Sequence, residues 1–197
     1  MCWPVKAGAW RPYCTCPMSE FEYLAVFMSI IFGISTTHIL SGVIRSIYRR
    51  QLDQTHFVLT AFFFLVLILD WWTGINWRDL DTWTFGPFLV IVVWSVSHYV
   101  GAITLYPPQS AGIEHPFEYR RNWFLWAFAG IAAMDILQTA VRGDLLDPWY
   151  YLPFVTHYIA VALLAIFVNK PLFHRLMAWY LLLTTMSWSF IVRWYLV

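Results

Sequence analysis

Residues 57–77 read FVLTAFFFLVLILDWWTGINW. Thirteen residues pass before the first ionisable side chain, Asp70. No polar face recurs every three or four residues, so a helix here is apolar all round and needs burial or lipid on every side. Twenty-one residues at about 1.5 Å each come to roughly the 30 Å of a bilayer's hydrocarbon core. Five similar apolar segments surround it, at residues 23–47, 85–106, 123–141, 149–168 and 176–196, parted by short polar or Gly/Pro-bearing turns. The pattern predicts an all-α integral membrane bundle of six transmembrane helices, forming one domain over residues 18–197.

Composition agrees with that reading. The chain is 60% hydrophobic and 12% charged, against about 25% charged in ordinary soluble domains. So few charges leave too little to solvate a soluble enzyme's surface, and a net charge of +1 offers no field for nucleic acid. Lipid is the expected surrounding. Lys and Arg set the orientation. The first, third and fifth connections hold Arg45, Arg49, Arg50, Arg120, Arg121, Lys170 and Arg175, while the second and fourth hold Arg78 and Arg142. Seven against two places both termini outside. Trp71, Trp72, Trp77, Trp83, Trp149 and Trp194 then form an outer aromatic belt, with Trp123 and Trp126 at the inner interface. Pro107 and Pro108 close the third segment, Pro171 follows the fifth, and Pro153 is placed to kink the fifth.

Residues 1–17 contain Cys2, Cys14 and Cys16 but no apolar run of signal-peptide length. A C-x-C without a second Cys or His pair is half a metal site at most. The stretch reads as a non-native or disordered extension ahead of a start at Met18. From there, Met18-Ser19-Glu20-Phe21-Glu22-Tyr23 and Thr37-His38-Ile39-Leu40-Ser41-Gly42 resemble the first helix of a group of small uncharacterised bacterial multi-pass membrane proteins. That resemblance implies a bacterial inner-membrane location and brings no activity with it. Glu20 and Glu22 sit where acids complement a helix N-terminus.

His38, His98 and His157 lie in the first, third and fifth segments, 60 and 59 residues apart. Each follows Ser or Thr and has a small residue at i+3. Asp70 and Asp135 answer in the second and fourth segments, followed by Arg78 and Arg142; the sixth keeps Arg193 without an acid. The chain thus reads as three repeated helical hairpins, each rising to an outer arginine (Arg78, Arg142, Arg193). Depth counted from the cytoplasmic ends at 1.5 Å per residue gives two layers. Asp70, Asp135 and His157 fall in the outer one, and His38 and His98 in the inner one.

Ionisable groups inside a membrane are costly and mark ion or proton paths. An Asp–His pair can pass a proton near neutral pH. The leading expectation is therefore a proton- or ion-handling membrane protein relaying through Asp70, Asp135, His157, His38 and His98. A second expectation is an accessory or scaffold subunit whose polar groups fasten helices. The stripe Ser29, Gly33, Thr37 and Ser41 in the first segment is read as a helix-packing face, beside a second stripe of Ser35, His38, Gly42 and Arg45. A third expectation is a haem or quinone-linked electron carrier with His38 and His98 as the two haem ligands. No catalytic motif is found, no resident cofactor is predicted, and the partners foreseen are lipid, a small ion or proton, and a second copy in a homo-oligomer.

Overall fold

Ser19 and Glu22 begin the first helix with a capping box. The Ser19 hydroxyl accepts from the Glu22 N–H at 3.2 Å, and the Glu22 carboxylate accepts from the Ser19 N–H at 2.8 Å. A computed structural model describes residues 19–50, 53–80, 82–107 and 117–191. The expectations placed on residues 1–18, Pro108, Arg193 and Trp194 lie outside the described residues.

Six α-helices occur among the described residues: α1 Glu20–Tyr48, α2 Gln54–Thr73, α3 Phe85–Leu105, α4 Phe117–Arg142, α5 Tyr151–Phe167 and α6 Pro171–Ile191. Asp53 caps α2 by accepting from the His56 N–H at 2.9 Å. A 3₁₀ turn, Gly74–Asp79, continues α2. Four helical stretches are long and apolar enough to cross a membrane: Glu20–Tyr48, Gln54–Asp79, Phe85–Leu105 and Arg120–Arg142. Helix α5 is shorter at 17 residues, and α6 opens on a turn carrying His174 and Arg175.

The prolines act mainly at helix starts. Pro171 is the first residue of α6, and Pro153 is the third of α5. The N–H that proline lacks has no intrahelical partner in a first turn, so neither position breaks or kinks its helix. The kink expected at Pro153 is thereby replaced by an ordinary helix start.

Phenylalanines fill the centre. Phe62 of α2 meets Phe128 of α4 edge-on at 5.1 Å, and Phe63 meets Phe124 at 5.7 Å. Outward faces are apolar as well: Ile30 and Ile34, Ile68, Leu89, Leu137, Leu164 and Leu183 are all exposed, one or more on each helix. Water would not tolerate so continuous an apolar surface, whereas lipid does.

The three hairpins are not equivalent. Helices α3 and α4 pack along each other, while α5 and α6 touch little; α6 lies on α2, α5 on α4 and α1 on α3. The expected hairpin repeat therefore does not organise the packing, because its polar markers sit on helices with different neighbours. The stripe of Ser29, Gly33, Thr37 and Ser41 is exposed instead of facing a helix of this chain. Its Ser29 donates to the Ala25 carbonyl of its own helix at 2.7 Å and accepts the Trp71 indole N–H at 3.3 Å. The adjoining stripe does the packing: a Cβ on Gly42 would lie 2.3–2.8 Å from atoms of the Tyr106 side chain, whereas one on Gly33 would meet nothing within 4 Å. Gly42→Ala should thus destabilise by about 1–3 kcal/mol through overpacking, and Gly33→Ala should not. Thermal unfolding in detergent separates them; equal midpoints would refute this assignment of the packed face.

Candidate functional site

Toward the ends of α2 and α4 the apolar interior opens into a cavity of about 90 Å³ bounded by α2, α4, α5 and α6. Both intramembrane acids, Asp70 and Asp135, line it. They reach it from different helices, because each occupies the inward face near its helix's C-terminal end.

Asp70 is paired. Its Oδ2 lies 2.6 Å from His98 Nε2, with the His98 side chain fully buried and that of Asp70 16% exposed. The other imidazole nitrogen, Nδ1, lies 2.8 Å from the Trp94 carbonyl one turn earlier. A carbonyl only accepts, so Nδ1 carries a hydrogen. One proton then occupies the Asp70–His98 contact, giving either carboxylate with imidazolium or carboxylic acid with neutral imidazole. Both forms are neutral overall, and passing between them moves a proton along the 2.6 Å contact. Phe32 and Trp94 enclose the ring at centroid distances of 5.1 and 5.2 Å.

Asp135 is held differently. Gln138 Nε2 donates to its Oδ1 at 3.0 Å, and the Tyr151 hydroxyl donates to its Oδ2 at 2.7 Å. Trp77 fixes this geometry. Its indole N–H, which can only donate, bonds to Gln138 Oε1 at 2.9 Å, so the Gln138 amide must turn its NH₂ toward Asp135 and Thr139. Thr139 accepts from Gln138 at 3.0 Å and donates to the Tyr151 oxygen at 2.8 Å, which leaves the Tyr151 proton for Asp135. The chain of bonds runs in one direction and ends on the carboxylate, an arrangement in which each bond polarises the next.

The remaining histidines are placed elsewhere. His38 Nε2 meets the Tyr106 carbonyl, and His56 Nε2 lies 3.2 Å from the Leu105 carbonyl. These carbonyls end α3, where backbone acceptors have no intrahelical donor, so both rings serve as caps at the far end of the bundle. His56 also stacks on Phe117 at 4.3 Å. His38 and His98 are therefore not brought together as one inner layer, since each directs ring nitrogens at a different acceptor. His157 does not line the cavity. Its ring packs against Phe154, Tyr158 and Tyr180, and its Nε2 is buried without a hydrogen-bond partner.

The arginines also part company. Arg78 is exposed beside Asp79 at 3.7 Å. Arg142 is nearly buried, lines the cavity, and pairs with Asp144 at 3.0 Å. Trp77, assigned from sequence to the interface belt, is 1% exposed; its indole N–H has found an internal acceptor. Gln138, Thr139 and Tyr151 carry no weight in the sequence reading. Yet Asp135, Gln138, Thr139 and Arg142 are spaced i, i+3, i+4 and i+7, and that spacing alone puts them on one helical face. No three or more His, Cys, Asp or Glu side chains cluster as metal ligands among the described residues.

No family model, curated protein or solved structure matches the chain.

Proposed function

We propose that the chain is a bacterial inner-membrane protein that handles protons or small cations through the Asp70–His98 pair and Asp135. In this reading all six helices span with both termini outside. The 17 residues of α5 sit at the short end of the spanning range, and the Lys/Arg asymmetry of the loops supplies the orientation. One observation carries the proposal: two carboxylates from separate helices line one cavity, and one of them lies 2.6 Å from Nε2 of a fully buried histidine. A pair whose two forms carry the same net charge of zero is what a proton step inside a low-dielectric bundle requires.

Vesicles containing the purified protein and a pH-sensitive dye test the reading. With the membrane potential clamped, an imposed pH gradient should collapse faster than in protein-free vesicles. Asp70→Asn and His98→Gln should each slow that collapse by about tenfold or more, the usual scale for losing a proton-transfer group. Variants as fast as the parent, or a parent no faster than bare lipid, would leave the fastening role of a scaffold subunit. The capping by His38 and His56 is the observation that favours that second reading.

A further inference from the structure

Charges around the cavity do not balance. Asp70 and His98 hold one proton between them and sum to zero in either form. Arg142 is matched by Asp144. Asp135 is left over, and both of its oxygens receive hydrogen-bond donors, which describes an acceptor-only carboxylate. One negative charge thus faces an internal space where an unanswered charge is strongly unfavourable.

We propose that this cavity binds a small monovalent organic ammonium ion, its charge answering Asp135 and its alkyl groups lying against Phe128, Phe154, Tyr158 and Trp188. Three features select that class. The deficit is a single charge, so a divalent ion would overshoot it. A dehydrated metal ion needs a shell of oxygen ligands, and here the carboxylate oxygens are largely engaged by Gln138, Tyr151 and His98. An alkylammonium instead needs one carboxylate and aromatic walls, and the four aromatic side chains named above line the cavity. A volume of 90 Å³ corresponds to roughly six to nine water-sized spheres, enough for an ion the size of tetramethylammonium.

The inference rests on the proton reading and gives it a cargo. A proton on Asp135 and the bound cation answer the same charge, so one leaves as the other arrives and the site's net charge is unchanged. Labelled tetramethylammonium, equilibrated with the full-length protein in detergent at fixed pH, should bind saturably at one ion per chain. Asp135→Asn should weaken binding by about tenfold or more, as for loss of a charged partner; Asp135→Glu should retain most of it, which separates charge from misfolding. Trp188→Ala should weaken binding several-fold, and excess sodium should not compete. Absent saturation, indifference to Asp135→Asn, or displacement by sodium would overturn the assignment. The same preparations in dye-loaded vesicles distinguish the two ideas: proton flux without ammonium binding removes this inference alone, and ammonium binding without proton flux removes the proton reading alone.

Discussion

His98→Ala is expected to destabilise the folded protein by about 3–5 kcal/mol, the cost of breaking a buried ionisable pair by removing one partner. Alanine leaves Asp70 facing the cavity without the group that shares its proton, and it empties a space walled by Phe32 and Trp94. Asp70→Asn should cost much less, about 1 kcal/mol, because the asparagine amide can still donate to His98 Nε2. Asp70→Leu with His98→Leu removes both polar partners together and should come close to the parent. Unfolding in mixed detergent micelles, followed by circular dichroism, gives all four free energies. A His98→Ala loss under about 1 kcal/mol, or a double leucine variant that loses as much as His98→Ala does, would show that the two side chains are not coupled.

That pair shows where reading the sequence succeeds and where it stops. Asp70 and Asp135 are conspicuous because ionisable groups are rare in apolar segments, and the capping box at Ser19 and Glu22 follows from two residue types at fixed spacing. Pairing is another matter. Depth counted from helix ends sets His98 well to the cytoplasmic side of Asp70. Side chains on a helix lean toward its own N-terminus, and α2 and α3 run in opposite senses across their short connection. Asp70 therefore leans inward while His98 leans outward, and the two leans together close much of the gap left by counting along the axis. His157 stays out of the site for a reason the count could not supply: it sits one helical step from Phe154 and Tyr158, which do line the cavity. Trp77 was hidden by its type, since tryptophan near a helix end usually marks an interface, and only its burial shows the internal acceptor. The outward face of the Ser29–Ser41 stripe follows from which helices pack on α1, and no local spacing encodes that choice.

The Trp77–Gln138–Asp135 connection leads to the second large effect. Gln138→Leu should cost about 2–6 kcal/mol, since unsatisfied buried polar groups cost about 1–3 kcal/mol each and two are left so, Thr139 keeping its bond to Tyr151. Trp77 Nε1 loses its acceptor, while Asp135 Oδ1 and Thr139 Oγ1 each lose a donor. Trp77→Phe removes only the bond that fixes the amide orientation, so it should cost less, and the amide is then free to rotate its oxygen toward Asp135. Combining the two changes should cost less than their sum, because the indole N–H orphaned by Gln138→Leu no longer exists. Leucine is close to glutamine in size, so packing changes little and the loss reports polar satisfaction. The same substitution reaches function by a separate route. Trp77 lies in the 3₁₀ turn Gly74–Asp79, and Gln138 is what ties that turn to the face of α4 bearing Asp135. Tetramethylammonium affinity should therefore fall in Gln138→Leu and in Tyr151→Phe alike, each removing one donor from the Asp135 carboxylate, while Trp71→Phe, which removes an indole N–H bonded to the exposed Ser29, should leave it unchanged. Equal affinity in all three variants would mean that the hydrogen-bond chain holds helices together without shaping the charge that faces the cavity.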